Sequence, residues 1–394
     1  MMECEKKPIV LFHVTTVPET FGFLRGQIAF IKERGFEIHA IASPGVLLDE
    51  TGVRENIQVH PVVMHRKISP LADLRALYNL FRLFRYYKPT IVHAHTPKGG
   101  LLGVLAARIA LVPVVIYGMR GLPFVTAFGF KKTILCLSEI VACRLSNLVL
   151  AVSFGIRQCA ISHRFCQEKK LIVLGQGSSN GVDAESRYNP GKLPAGTREK
   201  IRRDLQIPSD SIILGYVGRI VRDKGLVELE EAWQDLRQRF PKLYLLLSGP
   251  VEPQDPVPSQ VLARLQEDPR VRFTGWVNYM PPIYASMDIL ILPTYREGFP
   301  NTPLEAAAMK LPVVTTQVDG CVEAVLNGVT GLLVPPRDSR ALAEVLERLL
   351  LNPDLRRTMG QAGRRRVLKE FKPERLWELL YKQYLDLLNR RQGP

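Results

Sequence analysis

Two glutamates, Glu297 and Glu305, stand eight positions apart in the stretch TYREGFPNTPLEAAAMKLPVVTT, residues 294–316. Between them lie Gly298, Phe299, Pro300 and Asn301, the residues of a turn that opens a helix. Glu305 has a ready structural role. Thr302 followed three residues later by Glu305 reads as a capping box, with Pro303 at the first helical position. Glu297 has no such role: it sits in a glycine-containing loop, where a ligand or a backbone donor would be its partner. A second segment, GYVGRIVRDKG, residues 215–225, sets Arg219 and Lys224 between a strand and the start of a helix, where two cations and a helix N-terminus suit a diphosphate. The bland reading of both cations is a solvated surface. A carboxylate for hydroxyls, with cations and the backbone amides of Gly298, Phe299, Asn301 and Thr302 for phosphates, describes a pocket for a sugar and a diphosphate together. Pro300 has no N–H to offer.

These residues need elements to hold them. The chain has 394 residues and 46% hydrophobic content, enough for two domains with packed cores. PIVLFHV, FEIHAIAS, TIVHAH and VPVVIYGMRG read as strands, with FGFLRGQIAFIKERG, PLADLRALYNLFRLFRYYKP and GGLLGVLAARIAL as intervening helices. The alternation implies a parallel, doubly wound sheet covered on both faces. The rhythm breaks in LGQGSSNGVDAESRYNPGKLPAGT, read as the linker, then restarts with SIILGYVGR, KLYLLLSG, RVRFTGWV, DILILPT and LPVVTT. The expected architecture is α/β: two doubly wound Rossmann-like domains facing a cleft, over residues 1–185 and 198–370, with a C-terminal helix at 374–394 packing back on the first.

Composition narrows the chemistry. A net charge of +15 favours an anionic partner, among nucleic acid, an acidic lipid surface and phosphorylated small molecules. The six cysteines, Cys4, Cys136, Cys143, Cys159, Cys166 and Cys321, have no C-x-x-C spacing and suggest a reducing compartment. The N-terminus reads as a first strand rather than a signal peptide. The most apolar window, Leu101–Tyr117, is interrupted by Arg108 and Pro113, so the expectation is a cytoplasmic protein, soluble or peripherally attached to a membrane. The turns after the first strand of each domain lack G-x-G-x-x-G, and no G-x-x-x-x-G-K-[ST] occurs, which argues against a dinucleotide enzyme and a P-loop NTPase.

EGFPNTPLE resembles the E-x7-E motif of retaining glycosyltransferases of family 4, which have the two-Rossmann GT-B architecture. GYVGRIVRDKG, RFTGWV, VDGCVEAVLNGVTGLLVPPRD, SNGVD and HAHTPKGGLLGVLAAR resemble further segments of that family, so the likeness runs along nearly the whole chain. The first half, including YGMRGLPF, is most similar to bacterial enzymes that extend lipid-linked glycan or polysaccharide precursors. The resemblance implies roles. Arg219 and Lys224 would bind the donor diphosphate, Glu297 the transferred sugar and Glu305 the nucleotide ribose. His95 would reach the reacting centre from the first domain. Gly22 would admit the phosphates, although Phe21 and Phe23 flank it where relatives carry adjacent glycines. His93 is expected to face away from His95 and to be structural.

The activity so implied is retaining transfer from a nucleotide-diphosphate sugar, UDP-linked by expectation, to a glycan or polyprenyl-linked acceptor. No cofactor and no catalytic metal are expected, because no D-x-D pair occurs and the cations can neutralise the diphosphate; no nucleic acid is expected as a partner. The alternatives are a GT-B nucleotide-sugar epimerase, which needs no acceptor, and a non-catalytic binding protein, which would have lost its charged site residues. Phe124, Phe128 and Phe130 beside Lys131 and Lys132, and Arg75, Arg82 and Arg85 among helical apolar residues, suggest docking on an anionic membrane; the plain alternative is a core stripe with a solvated basic face.

Overall fold

The computed structural model describes residues 8–253 and 255–392. Cys4 lies outside the described residues. The chain divides into two compact units: the first runs to Asn180 and resumes at Pro373, and the second is Gly181–Lys372.

The first unit holds a seven-stranded, wholly parallel sheet. Its strands are β1 (Ile9–Val14), β2 (Phe36–Ala42), β3 (Gln58–Pro61), β4 (Ile91–His95), β5 (Val114–Met119), β6 (Leu148–Ala151) and β7 (Leu171–Val173), in the order β3-β2-β1-β4-β5-β6-β7. The second unit holds β8 (Ile212–Val217), β9 (Leu243–Ser248), β10 (Val271–Gly275), β11 (Ile289–Leu292), β12 (Val313–Thr316) and β13 (Gly331–Val334), in the order β10-β9-β8-β11-β12-β13. In both sheets the order reverses beside the unit's first strand, between β1 and β4 and between β8 and β11. Loops leaving the carboxyl ends of that pair diverge and open the crevice where α/β sheets bind ligands. β4, β5 and β11 are buried along their whole length, which explains the apolar runs of β5 and β11; in β4 the run is broken by His93 and His95.

The helix expected over FGFLRGQIAFIKERG is interrupted. A 3-10 turn covers Pro18–Leu24, and the α-helix is only Gln27–Lys32. The break falls at Gly26, whose φ of +77° suits glycine and whose added Cβ would lie 2.5 Å from the Trp377 ring. Trp377 belongs to the C-terminal helix Pro373–Gln392, so a residue from the far end of the chain packs where the helix is broken.

Helix Gly129–Leu145 buries Glu139, whose Oε2 accepts a 2.9 Å hydrogen bond from the Tyr117 hydroxyl on β5. Burial pushes this carboxyl up to about 7, the Tyr117 bond acting in the opposite direction. A carboxyl raised in the folded state stabilises below its unfolded pKa, near 4.5, and that contribution is lost as pH rises through about 7. Glu139→Gln keeps an acceptor for Tyr117 without the charge. It should therefore be more stable than wild type at pH 8, by roughly 2–3 kcal/mol, with the difference vanishing near pH 4.5. Thermal unfolding across that range checks it, and a gap that does not close on acidification would refute the assignment.

Candidate active site

In the second unit the two loops at the β8/β11 reversal are tied together. Asp223, after β8, pairs with Arg296, after β11, at 2.7 Å, and its carbonyl accepts from the Tyr295 N–H at 2.8 Å. One residue further along each loop, the Lys224 ammonium pairs with the Glu297 carboxylate. Both side chains are mostly shielded, at 13% and 18% exposure. Lys224 ends a 3-10 turn, and Gly225 turns the chain at φ +73° into helix Leu226–Arg239. A Cβ on Gly225 would lie 1.9 Å from the Pro293 carbonyl oxygen, so only glycine lets the two loops approach this closely.

Glu297 is thus not without a protein partner, as its loop position suggested; its partner is Lys224. Arg219 is paired too, donating to Glu252 at 2.9 Å, and it also feels the charges of Asp223 and Glu297. Arg219, Lys224 and Glu297 therefore form one charged group at the sheet's switch point.

Glu305 corrects a second expectation. Helix Asn301–Ala308 is preceded by Pro300 and has no side-chain cap bond. Thr302 is already its second residue and Pro303 its third, so Thr302 cannot cap and no capping box forms. The Glu305 Oε2 instead accepts from the Tyr284 hydroxyl at 2.8 Å. Burial raises its pKa, while hydrogen bonds from Tyr284 and Tyr188 lower it. Phe299 is buried and packs on Phe371 with ring centroids 5.7 Å apart, so its side chain serves the core. Gly298 lends its carbonyl oxygen to a close approach, 2.3 Å from where a Cβ on Gly320 would stand. The Asn301 Oδ1 is buried and has no hydrogen-bond partner among the described residues.

In the first unit His95 ends β4 beside β1, fully buried. Its Nε2 is 3.0 Å from Nδ1 of His13 on β1. His93 does not face away: its ring centroid is 4.0 Å from that of His95. Residues two apart on a strand share a face, which is the reason. The Tyr384 hydroxyl of the C-terminal helix meets His93 Nδ1 at 2.8 Å. Gly118 on β5 leaves room for both rings, since a Cβ there would lie 2.6 Å from His95 Nδ1 and 3.2 Å from His93 Nε2. Burial, with the positive charge of Arg120 adding to it, holds all three imidazoles neutral; His13 is lowered to about 3. Their ligand atoms lie within 4.8 Å of one another, close enough to share a metal ion, but the neighbouring Arg120 guanidinium opposes a second cation. Gly22 sits in the 3-10 turn with open space where a side chain would go.

Sequence reading missed His13, Arg120, Tyr188 and Tyr284. His13 and Arg120 were signalled only by lying at or just beyond the carboxyl ends of β1 and β5, the strands that flank β4. The tyrosines gave no signal, since their link to Glu305 is purely tertiary.

Two parallel doubly wound units, each with charged or polar groups gathered beside its reversal of strand order, form the arrangement in which α/β sheets bind ligands, and comparison with known proteins gives the class. The family described as "Glycosyl transferases group 1" matches residues 197–366, and "Glycosyl transferase 4-like" matches 11–153. The capsular polysaccharide biosynthesis glycosyltransferase CapM of Staphylococcus aureus is 35% identical over 384 residues, covering 97% of this chain and 98% of that protein. An Escherichia coli UDP-Gal:alpha-D-GlcNAc-diphosphoundecaprenol alpha-1,3-galactosyltransferase is 25% identical over 98% of this chain and 99% of its own length. The crystal structure of Anabaena Alr3699/HepE with UDP and glucose superposes with a TM-score of 0.80 at 21% identity, covering 96% of this chain and 99% of that one. The chain belongs to the GT-B glycosyltransferases of family 4 and is a glycosyltransferase.

Proposed function

We propose that the protein is a retaining, metal-independent glycosyltransferase that moves a sugar from a UDP-linked donor to a lipid-linked glycan acceptor in polysaccharide biosynthesis. The observation that carries this reading is the Lys224–Glu297 pair at the β8/β11 switch point, with Arg219 beside it. Arrival of a diphosphate gives Lys224 and Arg219 a new anion, which frees Glu297 to accept hydrogen bonds from sugar hydroxyls. The two cations then neutralise the charge that grows on the departing nucleotide, the role a metal plays elsewhere. Glu305, hydrogen-bonded to Tyr284, is the residue we assign to the nucleotide ribose. The glutamates have separate partners and do not form a glycosidase pair.

The acceptor assignment draws on the first half of the chain and on the E. coli relative, whose name specifies a diphosphoundecaprenol-linked substrate. Among the described residues no helix is long and apolar enough to cross a membrane. Phe128 and Phe130 are 84% and 79% exposed next to exposed Lys131 and Lys132, whereas Phe124 is buried. On helix Pro70–Tyr87, Arg75, Arg82 and Arg85 are exposed alongside Leu71, Leu74, Tyr78 and Tyr86. These faces fit peripheral attachment to an anionic membrane, each basic residue contributing on the order of 1 kcal/mol.

One assay tests the whole reading. Nucleoside diphosphate release is followed with a panel of nucleotide sugars and a polyprenyl-diphosphate-linked glycan, with and without EDTA and anionic liposomes. Expected is acceptor-dependent release that survives EDTA and rises with anionic lipid, with the anomeric configuration retained in the product. Conversion of the donor without acceptor would establish an epimerase instead, and no turnover of any donor would leave a binding protein.

A further inference from the structure

Arg120 follows β5 directly and sits against the His13–His93–His95 cluster. Its Nε and Nη1 are buried with no hydrogen-bond partner among the described residues. Its Nη2 stands 3.5 Å from His95 Nδ1, at the limit of a hydrogen bond. No carboxylate pairs with it among the described residues; the titratable groups it faces are Tyr384 and three neutral imidazoles. His93 Nε2 is likewise buried and unpartnered. A guanidinium is charged at neutral pH, and a buried charge is ordinarily paired. Here a cation and several N–H groups converge with no anion to receive them.

Phe23 also approaches Arg120. Its ring centroid is 5.9 Å from the guanidinium carbon, at the outer edge of a cation–π interaction, and the side chain is 44% exposed. Phe23 lies on the 3-10 turn Pro18–Leu24, next to Gly22, where there is free space.

We propose that Arg120, with His93 and His95, binds a phosphate group of a diphosphate-bearing substrate. The proposal rests on the transferase reading above and extends it to a residue of the first unit, which follows β5 and lies against the histidines of β1 and β4. Planar guanidinium N–H pairs match phosphate oxygens in a way an ammonium does not. Two substrates of the proposed reaction carry this chemistry: the nucleotide-sugar donor and the diphosphate-linked acceptor.

The test uses the full-length protein, Arg120→Met and Arg120→Lys, with calorimetric titration of inorganic pyrophosphate, UDP and farnesyl diphosphate. Pyrophosphate affinity should fall at least tenfold in Arg120→Met, with Arg120→Lys in between. Loss of UDP binding alone assigns the donor phosphate; loss of farnesyl diphosphate binding alone assigns the acceptor phosphate. The melting temperature without ligand should rise in Arg120→Met, because an uncompensated buried charge is removed. An arginine with a merely structural role would lower it and leave affinities unchanged, and that result overturns the proposal. So does unchanged affinity for all three anions, or their failure to bind wild type. Arg120→Lys retains the charge and keeps the comparison informative if the methionine variant does not fold. Pyrophosphate binding through Arg120 in a protein that transfers no sugar would sink the transferase reading but not this one; unaltered KM for both substrates in an active Arg120→Met enzyme would do the reverse.

Discussion

Glu297→Gln is expected to lower turnover by about 100-fold or more while the protein stays folded. Glutamine keeps the size of the side chain and loses the charge that both orients Lys224 and accepts sugar hydroxyls. Read as a plain exposed loop, the position would tolerate the change within about 0.5 kcal/mol. The ion pair alters that figure. With Lys224 and Glu297 only 13% and 18% exposed, the substitution strands an ammonium in a shielded site, and a cost of about 1–2 kcal/mol follows. Steady-state turnover at saturating donor, beside a denaturation curve, separates the two effects. Full turnover would remove Glu297 from the site.

Lys224→Ala should reduce kcat and raise the donor KM together, with kcat/KM down by roughly 100- to 1000-fold. A cation placed on the departing diphosphate does more as charge accumulates than in the ground state, so kcat must fall. A change confined to KM would contradict the leaving-group role. Because Lys224 and Glu297 form a single pair, the double variant should lose much less than the product of the two single losses. Independent, multiplicative effects would mean that the pair does not act as a unit.

The strand and helix rhythm of PIVLFHV through VPVVIY, and of SIILGYVGR through LPVVTT, was legible because buried parallel strands read as apolar runs and each is followed by a helix. The second unit's charged residues were legible for the same reason: Arg219, Lys224 and Glu297 each follow such a run closely, and a parallel sheet delivers the ends of its strands to one edge. What periodicity could not show is which of these ends become neighbours. β8 and β11 are adjacent only because the strand order reverses between them, and the Lys224–Glu297 pair depends on that reversal and on a glycine at 225 that tolerates the nearby Pro293 carbonyl.

Three further features belong to the tertiary structure alone. Local spacing offered Glu305 a capping role, but the helix begins at Asn301 and Tyr284, from another helix, takes the carboxylate. The helical pattern around Gly26 was sound as a pattern, yet the chain turns there at a φ of +77°, and Trp377 from the C-terminal helix packs against the glycine. His93 and His95 share a face by strand geometry, and sequence sets that much; that His13 and Arg120 close around them follows from β1 and β5 flanking β4. Sequence determines the period of each element and the residue types at its ends. The sheet order decides which ends meet, because neighbours in a sheet are chosen by packing over separations of 80 residues or so, as in the 82 that part His13 from His95.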